Sequence, residues 1–282
     1  MQTIGIIGIG NIGRYFTRQL REAQWPVVAL DSIPERLQYA VDRGAMPAKN
    51  PAEVAANSDI VILCLPGSHA VEAVMEGETG LLSRIKPGQL VIDTGTSRPA
   101  TAVHYEMSCA EKAAAFIDAP ITWRSQGLII MVGGKAEAFE QGKEVLTLLS
   151  FKLKHIGPIG QGQILKMMNQ AILAGQLAVN AEIVEFTKQA GLDPHLLEAF
   201  LGFSIGETLL GDDFSDGGTL ALHYKDLGYA LEFAHDKGAN IPLTSLVHEA
   251  FKQAKFSGDA DWSQPGIVTY WRKLNESSSK GK

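Results

Sequence analysis

The pattern of apolar and polar positions changes character once along the chain. Up to about residue 158, short apolar runs alternate with segments of helical period, and beyond it only helical periodicity is left. Unbroken aliphatic runs at residues 3–9, 27–30, 59–66 and 89–92 have the composition of strands buried on both faces. Similar runs at 115–119, 128–132 and 152–156 predict three more strands, while 51–56 and 135–149 read as helices. Residues 120–127, between two of the strands, are expected to form a loop. This alternation of strand and helix predicts the α/β class, as a Rossmann-type doubly wound sheet.

In the second half, residues 163–191 are apolar almost all round, the mark of a helix enclosed by other helices. Further helices are expected at 194–201, 220–237, 242–254 and 264–274, followed by a polar tail, 275–282, expected to be disordered. The predicted organisation is a dinucleotide-binding domain over 1–158 and an all-helical substrate and dimerisation domain over 159–274. A long helix joins the two.

Composition narrows the function classes. With 282 residues, 45% hydrophobic and 20% charged, the chain has the make-up of a globular protein of two domains. A net charge of -6 without a basic run gives a nucleic-acid backbone nothing to bind. Residues 164–184 imitate a membrane span, but Lys166, Asn169, Gln170, Gln176, Asn180 and Glu182 would be costly in lipid. The two cysteines, Cys64 and Cys109, lack metal-ligand spacing, and no metal site is expected. Free thiols and the absence of a basic leader segment point to the cytoplasm.

Candidate chemistry begins where the first strand ends, in Gly8-Ile9-Gly10-Asn11-Ile12-Gly13. This spacing allows a tight turn, close backbone approach to a pyrophosphate and packing of the following helix, whose N-terminus favours negative charge. A structural turn competes with that reading when the motif stands alone. Its context supports a nucleotide, because the second strand ends in Asp31, where a carboxylate would hold ribose hydroxyls and repel a 2′-phosphate. NAD is therefore expected over NADP, although Arg36 lies nearby. Leu65 and Pro66, after the third apolar run, are placed to touch the cofactor. Thr96 can cap the next helix, bond the nicotinamide ribose, or do both.

The second focus is GQGQILKMMNQ, residues 160–170. Lys166 is its only ionisable side chain, and the next one along the chain is Glu182. Burial would depress such a lysine toward neutrality and make it a general acid/base, against the commoner reading of a surface lysine. Asn169 and Gln170 share its helix face at i+3 and i+4. The seven histidines show no metal spacing; only His223, two residues before Lys225, stands near a candidate.

These segments together resemble one family from end to end. GIIGIGNIG, CLPGSHAVEAV, IDTGTSRP, DAPIT, MVGG, GQGQILKMMNQ, HYKDLGYAL and GANIPL stand in the order seen in the beta-hydroxyacid dehydrogenases of the 3-hydroxyisobutyrate dehydrogenase type. The resemblance implies a Rossmann domain joined by a long helix to a helical domain, and an oxidoreductase passing hydride between NAD and a small anionic 3-hydroxy acid or its semialdehyde. It implies Lys166 as acid/base, Lys225 near the nicotinamide, Phe214 and Asp226 on the substrate side, and a homodimer or homotetramer.

Three departures bear on the substrate. Where family members read DAPVSGG, this chain has Thr122, Trp123 and Arg124, so side chains would receive the substrate in place of glycine backbone. Either Arg124 forks onto an anion with Trp123 covering an apolar group, or Trp123 fills space while Arg124 faces water. Gly218 replaces an aromatic residue, which would widen the pocket. Gln170 stands where the family has asparagine. Two alternatives stay open: an imine-reductase-like enzyme, a group that shares the two-domain plan but usually lacks the lysine, so that Lys166 argues against it, and a non-catalytic NAD sensor, suggested by the changed loop and Gln170.

Overall fold

In a computed structural model, residues 2–215, 217–259 and 261–279 are described. The chain divides into two compact units, Met1–Lys166 and Met167–Lys282. The first contains β1 (Ile4–Ile7), α1 (Asn11–Glu22), β2 (Val27–Leu30), α2 (Pro34–Val41), β3 (Met46–Pro47) and α3 (Pro51–Ala56). It continues with β4 (Ile60–Leu63), α4 (Ser68–Met75), β5 (Leu90–Asp93), α5 (Pro99–Ala110) and β6 (Ala115–Asp118). Last come β7 (Ile121–Arg124), β8 (Gly127–Gly133), α6 (Ala136–Leu149) and β9 (Lys152–Gly157).

The strands lie in the order β3-β2-β1-β4-β5-β6-β8-β7, with β9 on β8, and every pair from β3 to β6 is parallel. Strand order reverses between β1 and β4, the switch point at which doubly wound sheets bind ligands. Period-two alternation divides the core between the two faces. Ile4, Ile6, Ile60, Ile62, Leu90 and Ile92 pack with Phe16 and Leu20 of α1 and Leu146 and Leu149 of α6. The intervening Ile7, Val61, Leu63 and Val91 pack with Val54 of α3, Met75 of α4 and Tyr105 of α5.

One segment departs from expectation. Residues 120–127 are no loop: β7 pairs antiparallel with β8 in the register Ile121↔Ile130 to Arg124↔Gly127, across a two-residue turn at Ser125 and Gln126. The preceding Pro120 and the polar turn mask a strand whose alternation covers only four residues. The doubly wound sheet therefore carries an antiparallel hairpin next to β6.

The second unit is helical. The helix α7 (Gln161–Gln189) runs into it, followed by α8 (His195–Ala199), α9 (Glu207–Leu210), α10 (Leu220–Asp236), α11 (Pro242–Ser257) and α12 (Val268–Ser279). Its core joins Ala174, Ala178, Ala181 and Val184 of α7 to Leu227 of α10, Phe251 of α11 and Val268. The expected polar tail is helical as far as Ser279, and residues 280–282 lie outside the described residues. Trp271 and Arg272 explain why α12 forms, since they bond Glu182 and Glu185 of α7. No described helix is long and apolar enough to cross a membrane.

The start of α7 is fastened to the sheet. Asp118, fully buried at the C-terminal end of β6, accepts the Gly160 N–H on Oδ1 at 2.6 Å and the Gln163 N–H on Oδ2 at 2.8 Å. A carboxylate from another element thus satisfies amides that a helix start leaves without partners. The Gln163 side chain makes a second clasp: Oε1 accepts the Ser97 N–H at 3.0 Å and Nε2 donates to the Gly95 carbonyl at 2.9 Å. Glycine is needed here, because a Cβ on Gly162 would lie 2.4 Å from the Met131 carbonyl oxygen.

Burial pushes the Asp118 carboxyl up from 3.8 to about 6, against the backbone N–H groups, which pull it down. A raised carboxyl stabilises the fold fully below its unfolded value, and that contribution is lost as pH rises through about 6. The stability difference between wild type and Asp118→Asn should therefore shift against the wild type by about 2 kcal/mol from pH 4 to 7. Urea unfolding of both proteins across that range measures it; a pH-independent difference would remove Asp118 as the titrating group.

Candidate functional site

The chain leaves β1 through Gly8, whose φ of +96° and whose contact with β4 both require glycine: a Cβ would lie 2.4 Å from the Cys64 carbonyl oxygen. On Gly13 a Cβ would lie 1.9 Å from the Gly8 carbonyl oxygen, so the loop closes only with glycine there. Gly10 is different, because a Cβ on it would meet no atom within 4 Å. No packing within the chain explains that glycine, whereas a ligand approaching the backbone does. Gly10 is also the N-cap of α1, makes no side-chain cap bond, and precedes a first turn without acids. The backbone of Asn11, Ile12 and Gly13 there fits a pyrophosphate.

Asp31 is tied to the same loop. Its Oδ2 accepts the Ile9 N–H at 2.6 Å and its Oδ1 accepts the Ile33 N–H at 2.8 Å. The carboxylate is thus fixed at the end of β2 beside the glycine turn. Leu65, on the chain leaving β4, lies against two glycines: a Cβ on Gly8 would be 3.3 Å from its Cδ2, and one on Gly95 would be 2.4 Å from its carbonyl oxygen. The loops after β1, β4 and β5 therefore meet at the C-terminal edge of the sheet, bringing together Gly8, Leu65 and the segment containing Thr96. Pro66 follows Leu65 there, exposed. Thr96 does not cap α5, since that helix begins at Pro99 with Arg98 as N-cap and no side-chain cap bond.

Lys166 follows Gln163 by one helical turn and is 7% exposed. The sequence marks the lysine but not its supports. Asp118 and Gln163 escaped notice because their partners are backbone groups distant in sequence; the one available signal was a carboxylate ending a buried strand.

On β7, alternation separates the three candidates. Thr122 is buried, and Arg124 Nη1 donates to its Oγ1 at 3.2 Å and to the Trp123 carbonyl at 3.0 Å. Trp123 points to the opposite face, 54% exposed, with its ring edge-on to Tyr15 of α1 at 5.2 Å. Thr122 and Arg124 form a pair from which Trp123 is excluded. Arg124 bonds its own strand rather than simply facing water.

The helical unit gathers a second group. The Asn169 amide donates to Gln170 Oε1 at 3.0 Å, and Gln170 Nε2 donates to Asp226 Oδ2 at 2.7 Å. Lys225 Nζ lies 3.0 Å from Asp226 Oδ1 and 5.0 Å from the centre of the Tyr229 ring. With Gln170 Nε2 donating to Asp226, Gln170 Oε1 is left to accept from Asn169. His223 is buried, lies 3.2 Å from the Gln170 carbonyl oxygen through Nε2, and stacks on Phe251. Phe214 stands apart from this group, packed against Trp262 in the core. The space expected beside Gly218 is taken: a Cβ there would meet Gln264 Nε2 at 2.7 Å. Among the described residues no cluster of His, Cys, Asp or Glu could hold a metal ion.

Comparison with known proteins agrees with this architecture. Residues 3–157 match the NAD binding domain of 6-phosphogluconate dehydrogenase, and residues 160–271 match the domain described as NAD-binding of NADP-dependent 3-hydroxyisobutyrate dehydrogenase. The chain is 31% identical to mitochondrial 3-hydroxyisobutyrate dehydrogenase of Homo sapiens, over 88% of this chain and 80% of that protein. It is 29% identical to 2-(hydroxymethyl)glutarate dehydrogenase of Eubacterium barkeri, over 99% and 97% of the respective chains. The solved structure of Mycobacterium tuberculosis 3-hydroxyisobutyrate dehydrogenase with L-serine superposes with a TM-score of 0.84 at 27% identity, covering 96% of this chain and 99% of that one. With its glycine-loop sheet and long helix, the chain belongs to the beta-hydroxyacid dehydrogenase family and is an NAD(P)-dependent dehydrogenase.

Proposed function

We propose that the protein interconverts a small 3-hydroxy acid and its semialdehyde or keto form using NAD, with Lys166 as the general acid/base. The observation that carries this reading is a buried lysine one turn beyond a doubly clasped helix start, in a chain with a dinucleotide loop. Bound NAD supplies the hydride acceptor or donor. In oxidation the Lys166 amine takes the hydroxyl proton as the carbon loses hydride; in reduction the ammonium returns it to the forming alkoxide. The clasps of Asp118 and Gln163 hold the helix carrying Nζ, and fixed geometry is what proton transfer requires.

Thr122 and Arg124, paired on one face of β7, suit the substrate carboxylate, and the guanidinium adds charge-assisted donors. Trp123 and Phe214 drop out of the reading because their rings pack elsewhere. Asn169 and Gln170 are the amides for substrate oxygens, with Gln170 aimed by Asp226. Lys225 is assigned to the nicotinamide end. A cytoplasmic location and a homodimer or homotetramer complete the proposal, supported by the two free cysteines and by exposed Ile172 and Val179 on α7.

Lys166→Ala should retain NADH binding, followed by fluorescence titration, and lose turnover by about 100 to 10,000-fold. Near-normal oxidation of 3-hydroxy acids by this variant would overturn the assignment. Cofactor binding by the wild type without turnover across a hydroxy-acid panel would favour a sensor, and turnover of cyclic imines alone an imine reductase. The Asp31 carboxylate, held against the Ile9 and Ile33 amides, favours NAD by repelling a 2′-phosphate. We expect kcat/KM for NAD to exceed that for NADP by about tenfold or more, corresponding to about 1.4 kcal/mol, and Asp31→Asn to narrow the gap.

A further inference from the structure

Asp118 has a counterpart on the neighbouring strand. Asp93 ends β5 as Asp118 ends β6, the two are partners in the strand register, and both are fully buried. Side chains at matched positions of adjacent parallel strands leave the sheet on the same face. Two carboxyl groups side by side and away from water are a costly arrangement, so each calls for a reason. Asp118 holds the start of α7. Asp93 turns to the loop after its own strand, where its Oδ1 accepts the Gly95 N–H at 3.0 Å and its Oδ2 accepts the Ser97 hydroxyl at 2.8 Å.

Gly95 and Ser97 are the same two residues that Gln163 grips from α7. The Gly95 carbonyl accepts from Gln163 Nε2 at 2.9 Å, and the Ser97 N–H donates to Gln163 Oε1 at 3.0 Å. The loop is therefore bracketed from two sides at the same two points, with Thr96 between them. Asp93, Ser97 and Gln163 are all fully buried, so bulk water does not compete for these bonds. The ends of the loop are fastened as well: Thr94 Oγ1 donates to the Leu63 carbonyl at 2.7 Å and the Arg98 N–H to Ser68 Oγ at 2.9 Å.

An ordinary turn at a strand end needs one acceptor for the Gly95 N–H, and asparagine would supply it. The bond from Ser97 needs a second acceptor oxygen, which asparagine lacks and a carboxylate has. That second oxygen is the one that fixes Ser97 against Gln163. Lys166 follows Gln163 by three residues on the same helix, so the loop and the lysine are held by one set of bonds. We propose that Asp93 is a positioning residue for proton transfer, setting the place of Gln163 through Gly95 and Ser97, and the place of the Lys166 amine through Gln163. This rests on the reading of Lys166 as acid/base and adds to it the group, 73 residues earlier in sequence, that determines where the amine stands.

Steady-state kinetics on the full chain test it, with NAD and the 3-hydroxy acid that the wild type oxidises fastest in a panel including 3-hydroxyisobutyrate. Ser97→Ala should lower kcat about tenfold and Asp93→Asn about 100-fold, because small displacements of a reacting group are enough to do so. KM for the hydroxy acid and the dissociation constant of NADH should stay within about threefold of wild type, a split that general loosening of the fold would not give. Placed in Lys166→Ala, either substitution should lower kcat by less than about twofold more, since a group acting through the lysine has nothing left to position. Ser97→Ala deletes a single hydroxyl and carries the test where Asp93→Asn does not fold. Unchanged kcat in folded Ser97→Ala, a change confined to NADH binding, or losses that multiply with Lys166→Ala would each overturn the role of Asp93 and leave Lys166 as acid/base. Near-normal turnover by Lys166→Ala itself, or a wild type that oxidises no 3-hydroxy acid, would remove both readings.

Discussion

The buried carboxylate of Asp118 is the constraint on which the rest of the site depends. It sits at the end of a parallel strand, where the sheet presents its functional edge, and spends both oxygens on the first amides of α7. The helix start, preceded by Gly160 with no side chain to cap it, is thereby fixed to the sheet by a group from 42 residues earlier in sequence. The arrangement carries a cost, because burial opposes the charge that makes the carboxylate a good acceptor. The Gly160 and Gln163 amides offset part of that cost, and the raised pKa shows that they do not cancel it.

From this anchor the placement of Lys166 follows by helix geometry. Gln163 grips the loop after β5 through two backbone bonds, and one turn later the lysine emerges from the same fastened segment. The loop gripped in this way includes Gly95 and Ser97, while Gly95 in turn lies against Leu65 and Asp93. A chain of backbone contacts thus runs from the glycine turn at Gly8, through Leu65 and Gly95, to Gln163. The nucleotide loop and the helix bearing the lysine share one rigid set of strand ends, and catalytic geometry of this kind belongs on such a scaffold rather than on independent loops.

Much of the fold was legible because burial on both faces leaves a simple signature. Residues 27–30 and 51–56 form the elements that their composition predicts, with bounds unchanged. The hairpin strand β7 was hidden because Pro120 precedes it and its alternation lasts only four residues, too short a pattern to distinguish from a loop. The helical end of α12 was hidden for the opposite reason: Asn275 to Ser279 are polar, and the helix is stabilised by Trp271 and Arg272 upstream. At the site, residue types named Lys166 and the glycine loop, but their supports depend on backbone partners that no side-chain pattern records. Trp123 and Thr122 look equivalent as sequence neighbours and are separated by strand alternation alone.

The helix α7 shows where periodic reading reaches its limit. Apolar residues on every side suggested enclosure by other helices, yet only one side meets them, through Ala174, Ala178, Ala181 and Val184. Small residues mark that inner face, where α7 packs closely, while the large ones, Ile172, Val179 and Phe186, stand on the exposed face. An average over the helix cannot separate these cases, because both faces are apolar. What distinguishes them is residue size: packing against the other helices selects alanine for close approach, whereas the large aliphatic and aromatic groups stand on the exposed face.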